Sequence, residues 1–89
     1  MAKISAKVKE KMLKSKDFTR PMIARNYDSI SFNYKGKGRF QLRFEEGVNH
    51  SDIWYNGNAI DLIRWTGKAP NLSDIKEGID PLMGELKYL

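Results

Sequence analysis

At 89 residues and 40% apolar content, the chain has the size and composition of one small globular domain, with little volume for a deep catalytic cleft. It holds no cysteine, which excludes disulfides, zinc fingers and thiol chemistry, and its single histidine, His50, argues against a transition-metal site. The net charge of +5 is unevenly spread: residues 1–44 carry twelve Lys/Arg against three acids, a net +9, whereas residues 45–89 carry four against eight, a net −4.

The opening segment MAKISAKVKEKML has neither a continuous apolar stretch nor a small-residue cleavage site, so it does not read as a secretory signal. No apolar run approaches a membrane span, and a cytoplasmic protein that does not engage membranes is expected. In ISAKVKEKMLKSK, Ile4, Val8 and Met12 recur every four residues among strong helix formers, which predicts a helix. Lys3, Lys7, Lys11 and Lys14 then fall within an arc of about 80° beside the apolar stripe. Such a ridge suits phosphate contacts, and a merely solvated face is the plainer alternative. In DFTRPMIARNYD, Thr19 can cap a second short helix with Pro21 in its first turn, although MIARNY also fits an extended segment.

The stretch SFNYKGKGRFQLRF predicts a β-hairpin. Ile30, Phe32 and Tyr34 alternate with polar residues in the first arm, and Phe40, Leu42 and Phe44 do so in the second. A three-residue loop, Gly36-Lys37-Gly38, pairs Tyr34 with Phe40, Phe32 with Leu42 and Ile30 with Phe44, with Gly38 in the left-handed position. A five-residue loop gives the same pairing. One face is then wholly apolar and belongs to the core. The other carries Asn33, Lys35, Arg39, Gln41 and Arg43, with Lys37 at the tip, a set suited to phosphates and base edges.

SDIWYNG predicts a third strand, with Ile53 and Tyr55 on one face and Trp54 on the other. NAIDLIRWTG, residues 58–67, is expected to form a short helix capped by Asn58 and ended by Gly67. The competing reading is a second hairpin turning on Asn56-Gly57. The tail is expected to give one or two short helices from a Ser73 cap and a restart at Asp80-Pro81, packing Ile75, Leu82, Leu86 and Tyr88 inward. The expected fold is therefore α+β: one or two amino-terminal helices, an antiparallel sheet of about three strands built on the 29–45 hairpin, and short carboxy-terminal helices.

Signals for catalysis are weak. His50, Ser51 and Asp52 are adjacent in sequence, whereas triad members converge from separate elements. Asp80 with Glu85-x-Lys87 resembles the Asp…Glu-x-Lys signature of a metal-dependent nuclease family, but the spacing to the aspartate is too short. KGKGRFQLRF invites comparison with the RNA-recognition motif, but Lys37 and Arg39 stand where that family carries rings, so its stacking residues are not transferred. No catalytic residue, metal or cofactor is assigned.

The leading expectation is a non-enzymatic nucleic-acid-binding protein that uses the basic hairpin, through Asn33, Lys35, Lys37, Arg39, Gln41 and Arg43, together with Lys7, Lys11 and Lys14. The alternative is a protein-binding regulator or inhibitor of a nucleic-acid enzyme, of the viral host-takeover type, anchored by Trp54 and Trp65. A small ribonuclease-like toxin is third.

Overall fold

The structure, a computed structural model, describes residues 4–25, 28–45 and 47–86. Helix α1 (Ile4–Leu13) leads into strands β1 (Phe18–Ile23), β2 (Ser29–Tyr34), β3 (Lys37–Arg43), β4 (His50–Tyr55) and β5 (Asn58–Arg64). Helix α2 (Leu72–Ile79) follows, then a 3₁₀ turn at Asp80–Leu82 and the single-turn α3 (Met83–Leu86). The strands form an antiparallel meander in the order β1-β2-β3-β4-β5. The α+β class stands, but the sheet has five strands where about three were expected.

Both added strands lie at sheet edges, and each carries a β-bulge. The segment expected as a second helix around Thr19 and Pro21 is β1, in which the register shifts between Thr19 and Met22. Arg20 there has φ 51°, and Pro21, which has no ladder donor, is tolerated on an edge. The extra residue brings Phe18, opposite Tyr34, and Ile23, opposite Ile30, to one face despite their odd spacing.

The segment expected as a helix over 58–66 is instead β5 and the residues just after it. Asn56 and Gly57, at φ 48° and 87°, make the two-residue turn, so the competing hairpin reading holds. A shift between Ile53 and Trp54 leaves Ile60 as the extra residue, because Trp54 faces Ala59 and Ile53 faces Asp61.

The central hairpin forms, with a register two residues from the expected one. Its turn is Lys35-Gly36, at φ 49° and 79°, and Tyr34 faces Lys37. Phe32 pairs with Phe40 and Ile30 with Leu42. Two residues, Gly38 and Arg39, stand against Asn33, and this bulge restores the apolar parity that a bare two-residue loop would break. Gly38 is therefore a bulge residue. The left-handed glycine is Gly36.

The helices cover one face of the sheet. Val8 and Met12 of α1, Ile75 and Ile79 of α2, and Leu86 close over Phe18, Ile30, Phe32, Tyr34, Phe40, Leu42, Phe44, Ile53 and Ile63, all buried. Phe18 stacks edge-on against Phe32 at 5.3 Å, and Phe40 lies 4.9 Å from Tyr55. Asn71 caps α2 in place of the expected Ser73: its side chain accepts from Asp74 N at 2.8 Å, while Asp74 accepts from Asn71 N at 3.1 Å. A Cβ on Gly78 would collide with Ile63, so α2 needs glycine to approach β5 this closely. Tyr88 lies outside the described residues.

Candidate nucleic-acid interface

Strand alternation gives the sheet a second face that no helix covers among the described residues. Asn33, Arg39, Gln41 and Arg43 stand on it, as expected, but both guanidiniums and the Asn33 amide oxygen are already engaged. Arg39 spans three strands: its guanidinium donates to Arg20 O at 3.2 Å, to Asn33 Oδ1 at 3.3 Å and to Ser31 Oγ. One of these acceptors is the carbonyl of the positive-φ residue in the β1 bulge, so Arg39 fastens strained backbone.

Arg43 lies within 3.5 Å of Asp28 and 3.4 Å of Glu45. Lys35 lies 3.4 Å from Asp80 and 5.2 Å from the Tyr34 ring. Asp80 also accepts the Tyr34 hydroxyl at 2.7 Å. Burial, reinforced by that bond to a carboxylate, pushes the Tyr34 phenol above its ordinary value of 10.0. Of the hairpin cations only Lys37 makes no hydrogen bond or ion pair among the described residues.

The α1 lysines differ. The helix turns Ser5, Val8 and Met12 into the core, which leaves Lys7 and Lys11 exposed one turn apart. Lys14, expected in the same helical ridge, is exposed one residue beyond its end. Lys3 lies outside the described residues. Among the described residues, Lys7, Lys9, Lys11, Lys14 and Lys16 meet no acidic partner, and Glu10, the one acid of α1, pairs with none of them. Residues 4–25 hold seven Lys/Arg against Glu10 and Asp17, a net +5. Asp17 is already matched by Lys76 at 2.8 Å, and that partner holds its carboxyl below the ordinary 3.8. Because α1 packs on the core side of the sheet, its lysines and the outer-face residues Asn33, Arg39, Gln41 and Arg43 belong to opposite layers. The residues expected to bind therefore lie on two surfaces.

The two tryptophans separate likewise. Trp54 is half-buried on the uncovered face, opposite Gln41 on β3 and Ala59 on β5. Trp65, expected as a partner anchor, is a core residue only 4% exposed, its ring 5.7 Å from Phe44, and it cannot serve as one.

His50 and Asp52 face outward while Ser51 points inward, accepting from Arg43 N at 2.8 Å and donating to Asp52 O at 2.7 Å. The three neighbours in sequence therefore do not converge. Of the nuclease-like set, Lys87 lies outside the described residues and Asp80 is bound to Tyr34 and Lys35. A shallow depression beside β4, bordered by Arg43, Glu45, His50, Asp52 and Trp54, was not anticipated as a unit. The alternation in HSDIWY, which puts His50, Asp52 and Trp54 on one face, was its available signal.

No protein-family model, curated protein or solved structure matches the chain. Among the described residues no helix is long and apolar enough to cross a membrane.

Proposed function

We propose that the protein is a non-enzymatic nucleic-acid-binding protein that grips the phosphate backbone through the α1 layer, with Lys7, Lys11 and Lys14 as its centre. The observation that carries this reading is the run of five lysines between positions 7 and 16 with no acidic partner among the described residues. Unpaired surface ammonium groups keep their full attraction for phosphate, and their binding releases condensed counterions. Lys37 belongs to the same class of free cation, at the hairpin tip. The hairpin guanidiniums are committed to holding the sheet and its loops.

The test is a salt titration. If about six cations meet phosphates, log affinity for duplex DNA falls against log salt with a slope near −5. The triple charge reversal Lys7→Glu, Lys11→Glu, Lys14→Glu should cut that slope by about half. A wild-type slope near zero, or one that the triple variant leaves intact, overturns the proposal. So does capture of a protein complex that survives nuclease treatment of the lysate and is lost in the same variant.

A further inference from the structure

Trp54 has open neighbours on the uncovered face. Its β5 partner, Ala59, contributes only a methyl group, and its β3 partner, Gln41, is an exposed amide. Two residues back on the same face is Asp52, at the rim of the shallow depression that Trp54 and Arg43 also border. The other rim carboxylate, Glu45, is ion-paired with Arg43, whereas the Asp52 carboxylate has no partner among the described residues. An aromatic ring and an unpaired carboxylate around one shallow hollow are complementary to a single ligand class. A base stacks on the ring, and its edge donors reach the carboxylate. Among the four common bases, only guanine presents two adjacent N–H donors on its pairing edge, matching the two oxygens of a carboxylate. Adenine and cytosine each set an acceptor beside their amino group, which a carboxylate repels.

We infer that the depression beside Trp54 is a subsite for one unpaired guanine of a single-stranded nucleic acid. The base stacks on Trp54 and donates to Asp52. This rests on the nucleic-acid reading above, but it uses the opposite layer from α1, so the two can fail separately.

The experiment is a fluorescence titration of the full chain with short uridine oligonucleotides carrying one central G, A or C. Trp65 is buried, so quenching by a stacked base reports Trp54. The G oligonucleotide should quench and bind several-fold more tightly than the others. Trp54→Ala should abolish the quenching and lower affinity by about 5- to 100-fold, the range that one stacked base supplies. Trp54→Phe should retain part of the affinity. Asp52→Asn should erase the preference for G while leaving total affinity equal or higher, since a negative charge is removed. Equal binding of all three oligonucleotides without quenching, alongside a salt slope near −5, overturns the subsite and leaves the α1 proposal standing. A nuclease-resistant protein complex lost in Trp54→Ala would also overturn it, by assigning the face to a protein partner.

Discussion

The protein carries two sets of cations, one on a helix and one on a sheet, and their surroundings differ. On α1, Lys7 and Lys11 have helical neighbours three and four residues away that are mostly lysine or apolar, and Glu10 pairs with neither. On the sheet, Arg39 reaches across β2 to β1, and what it meets there are hydroxyl, amide and carbonyl oxygens. A planar guanidinium among such acceptors is drawn into the structure, whereas an ammonium on a four-carbon stem among other ammoniums is left to water. Charge density along the chain is similar in the two segments. Availability for a partner is set by what each fold type places within about 5 Å of the charge.

The largest expected effect breaks the comparison on its helical side. Reversing Lys7, Lys11 and Lys14 together should lower affinity for nucleic acid by about a hundredfold or more near 0.1 M salt, because three contacts of about six are replaced by repulsion. Thermal unfolding should move little, since these side chains are exposed and unpaired. A large drop in melting temperature would mean that the lysines have structural roles not visible in the contacts of α1.

Arg39 tests the sheet side, and the expectation inverts. Arg39→Ala removes three hydrogen bonds made by a charged donor. Partial exposure leaves water to replace some of them, so the loss of stability should be about 1–2 kcal/mol, read by urea unfolding. Lysine should not rescue it, because one ammonium cannot reproduce the fork that joins Arg20, Ser31 and Asn33. The salt slope of binding should stay unchanged. A slope that falls by about one unit would return Arg39 to the phosphate-contacting set.

How much of this was legible in the sequence depended on alternation. The apolar face of the central hairpin, the outward position of Trp54 and the helical face of α1 follow from periods of 2 and 3.6, and they hold. The edge strands depart from simple alternation because each contains a bulge. In β5 the extra residue, Ile60, turns alternation into a cluster of Ala59, Ile60, Leu62 and Ile63 that mimics a helix face. In β1 it sets Met22 and Ile23 side by side and puts Phe18 at an odd spacing. Such bulges gather at sheet edges, where unpaired backbone would otherwise template association. Asp61 adds to this on β5, since its carboxylate accepts the N–H of Leu62 at 2.8 Å. Ser31, Asn33 and Arg20 could not be assigned to Arg39 from sequence, because they meet it only in a register set by the Lys35-Gly36 turn and the bulge at Gly38 and Arg39. The burial of Trp65 had no local signal at all.

A pH experiment sharpens the link between hairpin and carboxy-terminal segment. The Tyr34 phenol, raised first by burial and then by Asp80, is protonated in the folded state at pH values where a free tyrosine ionises. A folded pKa above the unfolded one means that this contribution is fully present below pH 10.0 and is lost as pH rises beyond it. Tyr34 should therefore resist ionisation in an ultraviolet titration until the protein unfolds, and Tyr34→Phe should remove that late step. If Tyr34→Phe leaves the latest step of the folded protein's titration unchanged, the bond to Asp80 is not maintained in solution.

Lys35 gives the smallest effect and decides where the turn belongs. Its φ of 49° sits in the left-handed region, which asparagine and glycine adopt more readily than lysine, and the equivalent turn on β4–β5 does use Asn56. Lys35→Asn should relieve roughly 0.5–1 kcal/mol of backbone strain. It also gives up the ion pair with Asp80, in which both side chains are 47% exposed, a loss of well under about 1 kcal/mol. The net result should be a stability equal to or slightly above that of the parent chain. If binding is unaffected as well, the turn is structural and the phosphate-contacting set ends at α1 and Lys37. A loss of one unit of salt slope in an equally stable variant would instead show that the strained lysine is kept for its charge, adding Lys35 to Lys37 in the binding set at the hairpin tip.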